Sequence, residues 1–109
     1  MAEFNVQIQP GRLSSFKESS VERLCSAQAF AGLVQDVSRK EGDDQGRYIN
    51  VFFTTADSKR FWPVLLEQLV QVGLQGACIV TCTGRDGWND YLLLHHFDPQ
   101  YRTGEARAL

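Results

Sequence analysis

Strict alternation of apolar and polar side chains marks the beginning of the chain. Phe4-Asn5-Val6-Gln7-Ile8-Gln9 alternates without interruption, as in a β-strand with one buried face, and Pro10-Gly11 stops it. A second strand is predicted over residues 48–54, where β-branched and aromatic residues dominate and Ile49, Val51 and Phe53 share one face. Phe52 lies on the opposite face, which indicates a central strand or an open face that a partner covers.

A first helix is predicted between these strands. Ser19 and Glu22 have the spacing of a capping box, and apolar residues then recur at approximately helical spacing as far as Val37. Ser26 is placed to interrupt the first turns and act as a second cap. We expect the helix to end near Lys40, with Gly42 in the left-handed conformation that closes a helix.

A second helix is predicted to follow the 48–54 strand. Asp57 or Thr55 is its expected cap, and Pro63 should lie in its first turn, where the missing N–H breaks no internal hydrogen bond, so the helix proper is placed at about Trp62. Gly73 followed by a hydrophobic residue resembles the closing glycine of a Schellman motif.

The last part of the chain predicts a β-hairpin. Residues 77–83 and 91–97 have strand composition, and the polar, glycine-containing segment 84–90 separates them. The two strands should therefore pair antiparallel.

Together these elements predict an α+β fold in the order βαβαββ. Two main helices would pack on a mixed sheet of about four strands, as a two-layer α/β sandwich. A ferredoxin-like βαββαβ arrangement is the alternative, and it is reached if a weak strand over residues 12–16 is real or if one element has been misassigned.

Size and composition narrow the organisation of the molecule. The 109 residues, 43% of them hydrophobic and 22% charged, predict one domain over residues 1–109, with a loosely ordered tail over 99–109. No stretch approaches the length of a membrane-spanning segment. The first residues lack the basic start and apolar core of a secretory signal, so the cytoplasm is the expected location.

The cysteines and the net charge restrict the chemistry further. Cys25, Cys78 and Cys82 are odd in number and lack metal-binding spacing, which predicts small buried hydrophobes with neither a disulfide framework nor a metal site. The formal net charge of −2 argues against extensive nucleic-acid binding, because that mode requires a basic face. No cofactor-binding motif is evident.

The segment 84–90 is the candidate contact surface. Glycine, Asp and Asn suffice for a turn, whereas Arg and Trp are the residue types that dominate interface centres. We therefore predict a partner-binding centre formed by Arg85, Asp86, Trp88, Asn89 and Asp90. Trp88 has an equally good structural interpretation, in which it folds back over the sheet.

Acidic residues elsewhere extend this hypothesis. The segment 41–46 is predicted to be an exposed loop, and its Asp43 and Asp44 would add negative charge to the contact centre if the fold brings the two segments together. Such charge would attract a basic partner and mainly raise the association rate.

His95 and His96 are the candidate residues for catalysis. Histidine titrates near neutrality, and Asp90 is a candidate to orient one of the rings. Adjacent residues of a strand point to opposite faces, so the two rings are not placed to hold one metal ion together. A histidine satisfied within its strand is the simpler interpretation.

These observations favour a small cytoplasmic protein-binding module over an enzyme. Its most concrete form is an inhibitor or immunity-type protein that occludes the functional site of another protein, for example a basic toxin or nuclease. The alternatives are a small histidine-dependent hydrolase or transferase and a homodimeric sensor of a small ligand. Apolar residues on both faces of the 48–54 strand favour the sensor.

Overall fold

Five strands and two helices make up the architecture. The computed structural model describes residues 1–84, 87–104 and 109, with residues 84 and 87–90 described by their backbone alone. The strands are β1 (Ala2–Ile8), β2 (Val34–Asp43), β3 (Arg47–Thr55), β4 (Cys78–Gly84) and β5 (Gly87–His96). The helices are α1 (Glu18–Cys25) and α2 (Ser58–Gln71), and short 3₁₀ turns lie at Pro10–Arg12, Gln28–Phe30 and Gln75–Ala77.

All neighbouring strands pair antiparallel, in the order β2-β3-β1-β4-β5. The chain order is βαββαββ, so α1 connects β1 to β2 across the intervening β3. This is the split connectivity of a ferredoxin-like βαββαβ unit, with β5 added beside β4. The predicted α+β class and two-layer sandwich are confirmed. The predicted order and the mixed sheet of about four strands are wrong, because the sheet has five antiparallel strands.

The misassigned element is the second half of the predicted first helix. The helix α1 ends at Cys25, and the Ser26 hydroxyl donates to the carbonyl of Glu22, 2.8 Å away. The chain then reaches Gly32, whose φ of +78° lies in the left-handed region, before β2 begins. A β-bulge between Val34 and Asp36 places Val34 and Val37 on the same face of β2, opposite Thr55 and Phe53, so a spacing of three residues that indicates a helix also occurs in this strand.

The predicted cap and the predicted closing glycine of the second helix are both present in α2. Asp57 caps α2, since its carboxylate accepts a hydrogen bond from the Arg60 N–H. Gly73 (φ +76°) closes α2 with both bonds of a Schellman motif, Gly73 N–H to the Val70 carbonyl and Leu74 N–H to the Leu69 carbonyl. These two predictions are confirmed.

The predicted capping box and the predicted place of Pro63 are wrong. The N-cap of α1 is Lys17, whose side chain makes no capping bond, so Ser19 lies within the helix. Pro63 lies inside α2, one turn beyond its start at Ser58. The capping bond of Asp57 and the buried side chains of Phe61 and Trp62 stabilise the first turn, so the helix begins at Ser58, before the proline.

The core lies between the helices and one face of the sheet. The inward side chains along the centres of β1 and β3 are fully buried and join α1 and α2 side chains in one hydrophobic cluster. Phe61 lies among other aromatic rings, with centroid distances of 5.0 Å to Phe4, 5.2 Å to Phe30 and 5.6 Å to Phe53. Within the described part of the chain, no helix is both long and apolar enough to cross a membrane.

Gly42 was expected to close a helix, but it lies in β2 opposite Tyr48. A Cβ atom at Gly42 would lie 2.2 Å from the Tyr48 hydroxyl oxygen, so the absence of a side chain leaves the space that the tyrosine ring occupies. The glycine therefore serves side-chain packing across two strands and not a turn.

The segment after β5 contacts the sheet. The Gly104 N–H donates to the Leu93 carbonyl at 2.5 Å, and the Tyr101 ring stacks on His96 with centroids 3.9 Å apart. The loose order predicted for residues 99–109 stays a prediction, and residues 105–108 lie outside the described residues.

Candidate functional site

One face of the sheet carries neither of the two described helices. Successive residues of a strand alternate between faces, and the residues between the buried positions of β1, β3 and β4 are only partly buried. We call the surface that they form the helix-free face. The strand register arranges its central part in rows, of which one contains Ser38, Phe52, Asn5, Thr81 and Leu93 and the next contains Lys40, Asn50, Gln7, Ile79 and His96.

A recess of about 630 Å³ lies at one end of the helix-free face. The 3₁₀ turn after β1 and the turn between β2 and β3 form its sides, and amide side chains of the two central strands line it. We call this the Arg12 recess; its lining residues are Gln7, Gln9, Gly11, Arg12, Asp44, Gln45, Gly46, Arg47, Tyr48 and Asn50.

Two contacts hold the Arg12 side chain in place. Its Nε–H donates to Gln9 Oε1 at 2.6 Å, and its guanidinium carbon lies 3.7 Å from the centroid of the Phe97 ring. Stacking over an aromatic face and a hydrogen bond at Nε both suit the planar guanidinium. The terminal nitrogens of Arg12 thus remain available while the group is held.

Three amide side chains, those of Gln9, Gln7 and Asn50, lie next to one another beside Arg12. Gln9 Nε2 donates to Gln7 Oε1 at 3.2 Å, and Gln7 lies directly opposite Asn50 in the β1–β3 pair. Asn50 Oδ1 is enclosed and has no hydrogen-bond partner among the described residues. An enclosed acceptor without a partner is costly, so Asn50 Oδ1 lowers the stability of the folded state in the described structure.

Two other arginines near this end of the sheet are ion-paired on the opposite face. Arg39 contacts Glu18 at 3.2 Å and Glu41 at 2.9 Å, and Arg47 contacts the same two glutamates. This ion network joins the start of α1 to the β2–β3 hairpin. Hydrogen bonds from Arg47 are the main reason that the pKa values of Glu18 and Glu41 lie below the ordinary 4.5.

The ion network should make stability depend on acid pH. A carboxylate whose pKa is lowered by folding stabilises the folded state above its ordinary pKa, and this contribution disappears as pH falls through the lowered value. We expect Glu18→Gln to lower the urea midpoint at pH 7, and the difference from wild type to shrink as pH falls below 4.5. Both carboxylates are exposed, so the effect should be modest and weaker in high salt.

Urea titrations at a series of pH values measure this effect. Glu22→Gln is the matched control, since Glu22 is exposed on the same helix and lies outside the ion network. A pH-independent difference between wild type and Glu18→Gln would contradict the electrostatic explanation.

The structure places the predicted acidic residues far from the predicted contact centre. Asp43 and Asp44 lie at the β2–β3 turn, at the end of the sheet where β1 terminates, whereas the β4–β5 turn lies where β1 begins. The strands β2 and β5 are also opposite edges of the sheet. Five strands about 4.8 Å apart span roughly 19 Å, so the two segments occupy diagonally opposite corners and do not form one surface.

The segment 84–90 is only partly a loop. Gly84 pairs with Gly87, so Trp88, Asn89 and Asp90 belong to β5 and not to a seven-residue connection. Arg85 and Asp86 lie outside the described residues, as do the side chains of Trp88, Asn89 and Asp90. Their role in partner binding stays a prediction.

The two histidines face different surroundings. His95 Nε2 lies 2.7 Å from the Gln75 carbonyl oxygen, and His96 Nδ1 accepts a hydrogen bond from the Asp98 N–H at 2.9 Å. His96 is further enclosed by Tyr101 and Phe97. Each ring therefore has a local structural role, and their catalytic role, with Asp90 as the orienting group, stays a prediction.

The cysteines are thiols of the protein interior. Cys78 and Cys82 are buried on the core face of β4, and burial raises the pKa of each to about 12. Cys25 is half-buried in α1, and burial raises its pKa as well. Among the described residues, no three His, Cys, Asp or Glu side chains form a group suited to a metal ion.

Sequence reasoning missed the Arg12 recess. Arg12 follows Pro10-Gly11 as one basic residue in a polar segment, and Gln7 and Gln9 only marked the outward positions of an alternating strand. The pairing of β1 with β3 brings Asn50 and Tyr48 to them from about 40 residues away. The only signal in the sequence was that β1 carries amides at successive outward positions.

Comparison of the chain with protein-family models, with curated proteins and with solved structures finds no match.

Proposed function

We propose that this protein is a binding module that recognises another protein through its helix-free face. The observation that carries the proposal is the composition of that face. It combines a central aromatic ring, Phe52, with amide and hydroxyl side chains at regular strand spacing, and no described helix covers it.

Several features of the face support a protein partner. Five strands and about seven residues along each give an area of roughly 20 by 20 Å, which suits the central part of a standard protein interface. The backbone groups of β3, β1 and β4 are paired within the sheet, so recognition would rest on side chains. Gln7 Oε1 accepts from Gln9 Nε2 and Thr83 Oγ1 accepts from the Glu3 N–H, so these two side chains lose little conformational freedom on binding.

Occlusion of a partner's functional site, as an inhibitor or immunity-type protein would do, is the most concrete form of this proposal. Occlusion requires a rigid surface and no catalytic residues. The free cysteines suit a reducing compartment, which supports the cytoplasm as the location of the complex.

Affinity capture with matched variants tests the proposal. Wild type is compared with Phe52→Glu and Thr81→Glu on the helix-free face, and with Val70→Glu on the exposed side of α2 as the control. A bound protein is identified, purified and titrated against each variant. We expect at least tenfold weaker binding for the two face variants and unchanged binding for Val70→Glu.

The other outcomes separate the competing interpretations. A partner that binds both face variants as tightly as wild type, but no longer binds Trp88→Ala, would overturn the assignment of the helix-free face as the binding surface. It would favour the β4–β5 segment instead. Recovery of no stoichiometric protein partner would overturn the proposal itself.

A further inference from the structure

Arg12 differs from the two arginines of the ion network in having no acidic partner among the residues that the structure describes. Glu18 and Glu41 engage Arg39 and Arg47, whereas no described carboxylate lies within ion-pair distance of Arg12. Its guanidinium is nevertheless held, by Gln9 at Nε and by the Phe97 ring beneath it. A cation that is positioned but not neutralised is suited to receive an anion.

The geometry of the guanidinium indicates the kind of anion. Because Nε is occupied by Gln9, the edge formed by the two terminal nitrogens remains, and this edge matches the two oxygens of a carboxylate. Asp44 also lines the recess and adds a negative charge. A singly charged carboxylate is therefore favoured over a doubly charged phosphate, which Asp44 would repel more strongly.

A second group in the recess indicates what accompanies the carboxylate. The side-chain amides of Gln7, Gln9 and Asn50 line the recess beside Arg12, and amides pair with the N–H and C=O groups of a polypeptide backbone. A peptide supplies both groups, since the side-chain carboxylate of an acidic residue is attached to a backbone that carries an N–H. A simple carboxylic acid supplies only the first.

We propose that the Arg12 recess binds the side-chain carboxylate of an acidic residue in a partner polypeptide. The carboxylate accepts hydrogen bonds from the terminal nitrogens of Arg12, and the neighbouring backbone pairs with the side-chain amides that line the recess. This inference rests on the proposed function and identifies one anchoring point at the edge of the helix-free face.

NMR titration of the purified protein with small probes tests the inference. The probe is acetyl-glutamate amide, which has one carboxylate and two amide groups, and the signals followed are the Arg12 Nε–H and the side-chain amides of Gln7, Gln9 and Asn50. The controls are acetyl-glutamine amide, which lacks the charge, and acetate and inorganic phosphate, which lack the peptide N–H. We expect saturable shifts with acetyl-glutamate amide and at least tenfold weaker binding of each control.

Variants of the protein add an independent measurement. Arg12→Lys keeps the charge but removes the planar pair of donors, and should weaken binding of acetyl-glutamate amide at least fivefold. Arg60→Lys, at an exposed arginine on α2, should leave it unchanged. Equal binding by wild type and Arg12→Lys would overturn the role of the guanidinium.

Each remaining outcome is decisive. Equal binding of acetate and acetyl-glutamate amide would overturn the polypeptide source and identify a site for free carboxylic acids. Tighter binding of inorganic phosphate than of acetyl-glutamate amide would overturn the assignment of the bound anion as a carboxylate. Absence of shifts at the recess with every probe would overturn the inference, whereas loss of a captured partner with Phe52→Glu would still support the proposed function.

Discussion

Replacing Phe61 by alanine should lower the free energy of unfolding by about 3–5 kcal/mol, the range for truncating a buried phenylalanine. The Phe61 side chain is fully buried, and its ring contacts those of Phe4, Phe30 and Phe53. The substitution removes apolar contacts from a helix, two strands and a 3₁₀ turn at once. Since small domains are stable by about 5–15 kcal/mol, a large fraction of the total would be lost.

Urea unfolding followed by fluorescence or circular dichroism measures this effect. The control is Val70→Ala in the same helix, because Val70 is 53% exposed and its truncation should change stability by less than about 0.5 kcal/mol. A loss below about 1 kcal/mol for Phe61→Ala would mean that the aromatic cluster does not hold α2 to the sheet.

Replacing Thr55 by valine should lower the free energy of unfolding by about 1–3 kcal/mol, although the two side chains have nearly the same shape. Thr55 is the buried polar residue of the described core. Its hydroxyl donates to the Leu33 carbonyl at 2.7 Å and accepts from the Asp57 N–H at 3.1 Å. Valine leaves both backbone groups without this partner, at the point where the segments before β2 and before α2 meet.

Thr54→Val is the matched control for this substitution, since Thr54 is the adjacent residue and lies on the helix-free face. It should change stability by less than about 0.5 kcal/mol. Hydrogen exchange of the Asp57 N–H gives a second readout, and exchange should become faster in Thr55→Val only. Wild-type stability of Thr55→Val together with slow exchange at Asp57 would contradict a structural role for the hydroxyl.

The parts of the fold that the sequence predicted correctly depend on short-range signals. Alternation located β1 and β3, since each buries a run of alternate residues on one face. Asp57 and Gly73 marked the ends of α2 because each forms its bonds within one turn of its own position. Such features can be recognised without knowing which distant segments of the chain pack against them.

The strand β2 could not be predicted in this way. It is an edge strand, and none of its residues is fully buried, so the hydrophobic pattern that specifies a strand is weak there. Glu41 and Arg39 occupy inward-facing positions and pair with each other in the ion network. Hydrophobic residues at these positions would have shown the two-residue alternation of a strand. The pattern of Val34 and Val37 alone permitted a helix.

Long-range pairing also decided which candidate residues share a surface. Asp43 and Asp44 are acidic and exposed as predicted, but the sheet order separates them from the β4–β5 turn. The same order brings Asn50 beside Gln7 and thereby forms the Arg12 recess. Residue type identified surface character, whereas proximity required the topology.

The central position of β1 has a consequence for how the chain acquires its structure during synthesis. This strand is made first, yet both its neighbours are distant in sequence, β3 at Arg47–Thr55 and β4 at Cys78–Gly84. Until those segments leave the ribosome, Phe4, Val6 and Ile8 have no strand beside them, and closing such long loops slows folding. A nascent chain that stops before β4 exposes the inner edge of its own sheet, which makes the interrupted product a substrate for chaperones and a source of aggregation.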